Sequence, residues 1–92
     1  MAEQIRVGII GCGFWAQFQI GAWLEIEGVE IAGLYSRTRS KAEALAARFA
    51  DPPVFDSAEE LMRSASPTVI DIITNEDSHT HYALMAAAHG LP

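Results

Sequence analysis

The segment Ile5-Arg6-Val7-Gly8-Ile9-Ile10-Gly11-Cys12-Gly13-Phe14-Trp15-Ala16 joins a β-branched run to a glycine turn and then to a helical pattern. Its first six residues are almost continuously apolar, the pattern of a strand buried on both faces in a parallel sheet. Gly11 stops the run. In the G-x-G-x-x-A turn that follows, each small residue has a physical use. Gly11 permits the tight turn, Gly13 leaves room for a pyrophosphate against the backbone, and Ala16 lets helix and strand pack closely. The helix N-terminus then offers unpaired N–H groups and a partial positive charge to phosphate. Alone the motif is a weak signal. Placed between a strand and a helix it has its required context and predicts a dinucleotide site, the alternative being a turn that is merely tight.

Working outward, residues 14–26 are long enough for three helical turns, and Gly28 is a C-terminal stop. Phe14, Phe18, Ala22 and Ile26 share one face of that helix. Residues 30–35 read as a second strand. Residues 40–50 read as a helix, with Ala42, Leu45, Ala46 and Phe49 at i, i+3, i+4 and i+7, ended by Pro52-Pro53. Val54-Phe55 is a short third strand. Ser57-Ala58-Glu59-Glu60 matches a capping box, opening a short helix through Arg63. Residues 68–73 read as a fourth strand. Asp77 or Ser78 then caps a helix to about His89, with Ala83, Ala86, Ala87 and Gly90 on the face suited to close packing.

The order is β-α-β-α-β-α-β-α, the alternation of parallel units. Right-handed crossovers favour a Rossmann-type parallel sheet of order 3-2-1-4 flanked by helices. The pattern calls for a fifth strand after Gly90-Leu91-Pro92. Residues 1–92 are therefore expected to be the N-terminal part of a larger dinucleotide-binding domain, with an open edge at the fourth strand. That edge makes association into a homo-oligomer conceivable without fixing a symmetry.

Composition narrows the class. Of the 92 residues half are hydrophobic and a fifth charged, the makeup of a globular chain. Six Lys and Arg against 12 Asp and Glu give a formal charge of −6, which argues against nucleic-acid or anionic-membrane binding. No apolar run approaches the ~20 residues of a membrane span, and Met1-Ala2-Glu3-Gln4 does not open like a signal peptide, so a cytoplasmic location is expected. The single cysteine, Cys12, excludes a disulfide framework and a cysteine-rich zinc site.

The end of the second strand bears on the cofactor. A carboxylate there would bind the adenosine ribose and favour NAD. The chain has Tyr35-Ser36-Arg37-Thr38-Arg39-Ser40-Lys41 instead. Three of its six Lys and Arg residues fall at positions 37, 39 and 41. A guanidinium donates two parallel hydrogen bonds to a phosphate, so Ser36, Arg37 and Thr38 read as a 2′-phosphate clamp, and NADP is favoured over NAD. Arg39 and Lys41 are also explained as solvated residues at a helix start, the preferred reading for Lys41.

The glycine loop, the Ser36-Arg37-Thr38 turn, the Lys41-Ala42-Glu43-Ala44-Leu45-Ala46 helix and the strand Val69-Ile70-Asp71-Ile72-Ile73-Thr74, with His79 a few residues on, occur in that order. Together they resemble the N-terminal half-domain of the glucose–fructose oxidoreductase/inositol dehydrogenase (Gfo/Idh/MocA) family, over nearly the whole chain. The resemblance implies a Rossmann domain followed by a substrate domain with an open, mostly antiparallel sheet. It also implies NAD(P)-linked oxidation of an alcohol, often a sugar or cyclitol. In the family a Thr-Pro-Asn-type loop after the fourth strand lies along the cofactor, with a histidine shortly after. Thr74 and His79 match that pattern here, and Asn75 stands where proline is expected. The family's Glu-Lys-Pro motif, whose lysine serves in catalysis, would fall beyond Pro92, so no residue of this chain is assigned as catalytic.

The remaining candidates have bland readings. Cys12 holds a free position of the motif, although a helix N-terminus can lower a thiol pKa. Trp15 and Trp23 fit core or domain-interface space, and Trp15, beside the phosphate turn, is also a candidate for the cofactor pocket. His79 and His81, two residues apart on a helix, point to different faces and make a poor metal pair; His81 and His89 read as surface residues. Asp71 in an apolar strand is expected to have a structural partner. The expected cofactor contacts are thus Gly11, Gly13, Phe14, Trp15, Ser36, Arg37, Thr38, Thr74, Asn75 and His79. Two other readings compete with an oxidoreductase. One is a non-catalytic NAD(P)-binding or sensing module working with a partner chain. The other, an S-adenosylmethionine-dependent methyltransferase, would want an acid where Ser36 stands.

Overall fold

A computed structural model describes residues 4–74 and 76–91. The elements in chain order are β1 (Ile5–Ile10), α1 (Ala16–Leu24), β2 (Val29–Tyr35), α2 (Arg39–Arg48), α3 (Ala58–Ser64), β3 (Val69–Ile72) and α4 (Glu76–Ala88). β1 lies in the middle of a parallel sheet of order β2-β1-β3. The strand expected at 54–55 is reduced to a single parallel bridge, Leu34 to Val54. The Leu34 N–H donates to Pro53 O at 2.9 Å and the Phe55 N–H to Leu34 O at 2.9 Å. The expected spatial order survives, but its outermost member is one residue wide. Prolines 52 and 53 cannot donate to a ladder, which limits the pairing at that edge.

Side-chain alternation along β1 divides the core into two layers. Val7 and Ile9 join Ala16 and Ile20 of α1 and Ala42, Leu45 and Ala46 of α2 on one face. Ile10 and Ile70 join Leu61 and Met62 of α3 and Tyr82 and Ala86 of α4 on the other. Gly8 is buried on that second face, where an added Cβ would lie 2.6 Å from Leu61 Cδ2 and 2.8 Å from Ile70 Cδ1. The missing side chain is what lets α3 approach the sheet.

Two helices turn other faces inward than their spacing suggested. On α1 the buried residues are Ala16 and Ile20, with Trp23 half-buried; Phe14, Phe18 and Ile26 are exposed. A close sheet contact at Ala16 fixes which face of α1 meets the sheet, and the larger aromatics are left outside. On α4, Tyr82 and Ala86 are buried while Ala83, Ala87 and Gly90 are exposed. Of the expected stripe Ala86 does pack inward, beside the Tyr82 ring, while its other three members face outward. The helix over 40–50 begins one residue early and packs as expected through Ala42, Leu45 and Ala46. At α3 the Ser57 Oγ accepts the Glu60 N–H at 3.0 Å, the forward half of the capping box.

Trp23 and Asp71 account for each other. The indole Nε1 donates to Asp71 Oδ2 at 2.9 Å, tying the C-terminal part of α1 to β3. No helix among the described residues is long and apolar enough to cross a membrane.

The end of α2 has no glycine. Ala50 (φ 64°) and Asp51 (φ 52°) are both left-handed, and the Asp51 N–H closes the helix on Ala46 O at 2.9 Å. A Cβ in that region costs roughly 1–2 kcal/mol. Ala50→Gly is therefore expected to raise unfolding stability by about 0.5–1 kcal/mol, the relief being partly offset by unfolded-chain entropy. An unchanged or lower urea midpoint would count against left-handed strain at this end.

Candidate functional site

The first loop out of the sheet is held by a steric constraint. Gly11 has φ 101°, and its N–H donates to Tyr35 O at 2.8 Å, linking the ends of β1 and β2. A Cβ at Gly11 would stand 2.3 Å from the Ile73 carbonyl oxygen. Gly11 is thus required by both its dihedral and the backbone after β3. Gly13 is different: a Cβ there would meet nothing within 4 Å, so no protein contact demands a glycine.

Beside this turn is a cleft of about 510 Å³ at the carboxyl ends of the strands, where open α/β sheets bind ligands. Gly11, Cys12 and Gly13 line it from the first turn. Tyr35, Ser36, Arg37 and Thr38 line it from the end of β2, and Lys41, Thr74, Ser78 and Tyr82 from the other elements. Among the described residues that line it none is an Asp or Glu. At the N-terminus of α1 no side chain caps the helix and no acid lies in its first turn. The open side of Gly13, the uncapped helix end and the cationic turn together suit a phosphate-bearing ligand.

The turn after β2 is organised by Ser36, whose Oγ accepts the Thr38 N–H at 3.2 Å. Arg39 is drawn away from the cleft by Asp56 and by Glu43. Among the described residues neither Arg37 nor Lys41 has an ion-pair partner. Lys41, read from sequence as a solvated residue at a helix start, is exposed there and also lines the cleft. The available signal was its i+4 spacing from Arg37 at a helix start. Ser78 and Tyr82 also line the cleft, and no motif marked them.

Not every expected contact lies there. Phe14 lines an adjoining groove between α1 and α2 with Gly13, Gln17, Lys41 and Arg48. Trp15 is 67% exposed rather than placed in the core, and lines neither space. Phe14, Trp15 and Phe18 instead touch one another, with ring centroids 5.3–5.9 Å apart. His79 is exposed and outside the cleft lining, one residue from Ser78. Asn75 lies outside the described residues. No group of three His, Cys, Asp or Glu residues among the described ones is placed to hold a metal.

Two titratable groups in the cleft keep their protons. Burial pushes the Cys12 thiol from its ordinary 9.0 up to about 11, against the lowering that a helix N-terminus can cause. Its Sγ lies 3.6 Å from Tyr35 O, to which the thiol donates. Tyr82 is raised mainly by burial and further by Tyr35, while Arg37 pulls the other way. Its ring packs edge-on against Tyr35, 6.2 Å between centroids.

Residues 5–92 match the family described as an oxidoreductase family with an NAD-binding Rossmann fold. The D-apiose dehydrogenase of Rhizobium rhizogenes is 30% identical over 89 residues, covering 97% of this chain and 26% of that protein. The D-apiose dehydrogenase of Paraburkholderia graminis is 26% identical over 89 residues, covering 97% and 24%. The crystal structure of an oxidoreductase from Agrobacterium radiobacter in complex with NAD+, L-tartaric acid and magnesium superposes with a TM-score of 0.90 at 30% identity, over 97% of this chain and 26% of that one. An oxidoreductase from Thermotoga maritima superposes with a TM-score of 0.86 at 34% identity, over 97% and 28%. The chain spans about a quarter of the length of these relatives.

The two glycines are expected to separate under substitution. Gly11→Ala should unfold or strongly destabilise the chain. Gly13→Ala should leave the unfolding free energy within about 0.5 kcal/mol of wild type and weaken dinucleotide binding at least tenfold. A Gly13→Ala chain that binds as tightly as wild type would remove the turn from the site. For Cys12, alkylation by iodoacetamide at pH 8 should run roughly 100-fold slower than for a free thiol and rise with a midpoint near pH 11. Because the folded pKa lies above the unfolded one, this thiol's contribution to stability is complete below pH 9 and lost as the pH rises towards 11. An alkylation midpoint below 9 would contradict the burial.

Proposed function

The chain belongs to the Gfo/Idh/MocA oxidoreductase family, and we propose that it is the cofactor-binding portion of an oxidoreductase that moves hydride between NADP(H) and an alcohol or carbonyl of the sugar or cyclitol class. The observation that carries the NADP part is the cleft at the end of β2, where among the described residues Arg37 has no ion-pair partner and no carboxylate lines the space. A carboxylate there would repel a 2′-phosphate, whereas a guanidinium meets it with paired donors. The NAD+ in the Agrobacterium radiobacter complex supports a dinucleotide in this fold, and the D-apiose dehydrogenases support a sugar-like substrate class.

In this reading the glycine turn and the α1 N-terminus receive the pyrophosphate, with Gly11 shaping the backbone and Gly13 admitting it. The Phe14 backbone continues that cradle. Ser36, Arg37 and Thr38 hold the 2′-phosphate, with Ser36 fixing the turn that aims Arg37. Thr74, after β3, lies along the cofactor, and Asn75, which lies outside the described residues, is the next contact expected from sequence. When bound, the nicotinamide supplies or accepts the hydride. The neutral thiol of Cys12 excludes water beneath the turn without adding a negative charge beside phosphates. Substrate orientation and the proton-transfer group belong to a further domain in this proposal, and the share of the relatives' length that the chain covers supports that division.

Arg37→Ala is expected to weaken NADPH at least tenfold, since a hydrogen bond to a charged group contributes about 1.5–3 kcal/mol, and to leave NADH within twofold. Nicotinamide fluorescence titrations of both cofactors read this directly. Equal losses for the two would refute the clamp.

A further inference from the structure

α1 is apolar on two sides, and among the described residues only one side is covered. From Ala16 to Leu24 the helix carries no charged residue, in a chain whose formal charge is −6. Ala16, Ile20 and Trp23 face the sheet. The outer side carries Trp15, Phe18, Ala22 and Ile26, at i, i+3, i+7 and i+11, and all four are exposed. A helix that is apolar all round is ordinarily buried all round, and an exposed apolar patch marks an interaction site. This patch has two unlike ends. At one, Phe14, Trp15 and Phe18 touch one another and are 67%, 67% and 56% exposed. At the other is a groove of about 190 Å³ lined by Gln19, Ala22, Trp23 and Ile26. A space of about 150 Å³ takes a benzene-sized ring.

We propose that this face pairs with the same face of a second copy of the chain. The two α1 helices run antiparallel about a two-fold axis, and the Trp15 ring of each copy sits in the groove of the other. The groove is centred between Ala22 and Trp23, about seven residues and so roughly 10 Å along the helix from Trp15. Reversing one helix against the other brings each aromatic end onto the other copy's groove, with Phe18 and Gln19 at the axis. An isologous contact requires that reciprocity. Charge points the same way. Two copies at −6 repel each other, and repulsion is least where they meet through helices that bear no charge. Area sets the strength. Three rings of about 150–250 Å² each, exposed to this degree, offer roughly 400 Å². Ile26 and the groove bring this to roughly 550 Å² per copy, or about 1,100 Å² for the pair, at the lower end of specific interfaces. The dimer is therefore weak, with a Kd on the order of 10 μM.

The test is sedimentation equilibrium of the full chain in physiological salt, from about 1 to about 300 μM so as to span the expected constant. The mass should rise from one copy to two and stop there. Trp15→Ala and Phe18→Ala should each weaken the dimer at least about tenfold. Leu84→Ala, which truncates a comparably exposed side chain on α4, should leave it within about twofold. Gln19→Cys should give a disulfide-linked dimer under mild oxidation, since the two copies of residue 19 meet at the axis, and the buried Cys12 does not compete. A chain that stays monomeric at the highest concentration overturns the dimer and leaves the face to another occupant, such as polypeptide of the kind that makes up the rest of the relatives' length. A mass that climbs past two copies overturns it as well, as unspecific adhesion. So does a dimer that survives both aromatic substitutions, or a Leu84→Ala loss as large as theirs. Should Trp15→Ala lose its folded circular dichroism, the cross-link decides, and failure of Gln19→Cys to link copies at the highest concentration would overturn the pairing.

Discussion

A single close contact organises the molecule: the backbone of Gly11 lies against the carbonyl after β3, leaving 2.3 Å where a Cβ would go. At the same residue the N–H is bonded to the end of β2. The loop leaving the central strand is therefore clamped between the ends of both neighbours, and all three strand ends are brought to one opening. The direction of α1, the position of the turn after β2 and the placement of Thr74 follow from that arrangement. Gly13, two residues on, is free of any such demand. No protein contact explains its lack of a side chain, so the two glycines of one motif are physically distinct.

The second organising feature is how charge is distributed. The chain carries −6 overall, yet among the described residues its cleft is lined by Arg37 and Lys41 and by no acid. Arg39 contributes by pairing with Asp56 and Glu43 outside the cleft. Cys12 remains a neutral thiol because burial opposes its ionisation. An acidic protein can in this way present a local field suited to a phosphorylated ribose, with little long-range attraction for polyanions.

Much of this was legible in the sequence because the strongest signals are local and redundant. A β-branched run, a glycine turn and a helical pattern over residues 5–16 agree on one supersecondary unit, and its repetition predicts the parallel sheet. Ser36 and Arg37 could be placed at the end of a strand by counting. What was not legible depends on tertiary packing. Nothing in the spacing of Phe14, Phe18 and Ile26 says that Ala16 and Ile20 take the sheet-facing side of α1. The alanines of α4 matched a packing stripe, but of that stripe only Ala86 packs inward, beside Tyr82. Val54-Phe55 reads as a strand, yet beside Pro52 and Pro53 it pairs through a single bridge. Lys41 reads as a solvated residue at a helix start and is exposed there; that it also lines the cleft depends on tertiary packing.

The most direct test of the account is a side-by-side titration of the wild-type chain with NADPH and NADH at low and at physiological salt. The account predicts tighter binding of NADPH, with an advantage that shrinks as salt screens Arg37 and Lys41. Equal affinities, or tighter NADH at both salt concentrations, would contradict a 2′-phosphate site at the end of β2.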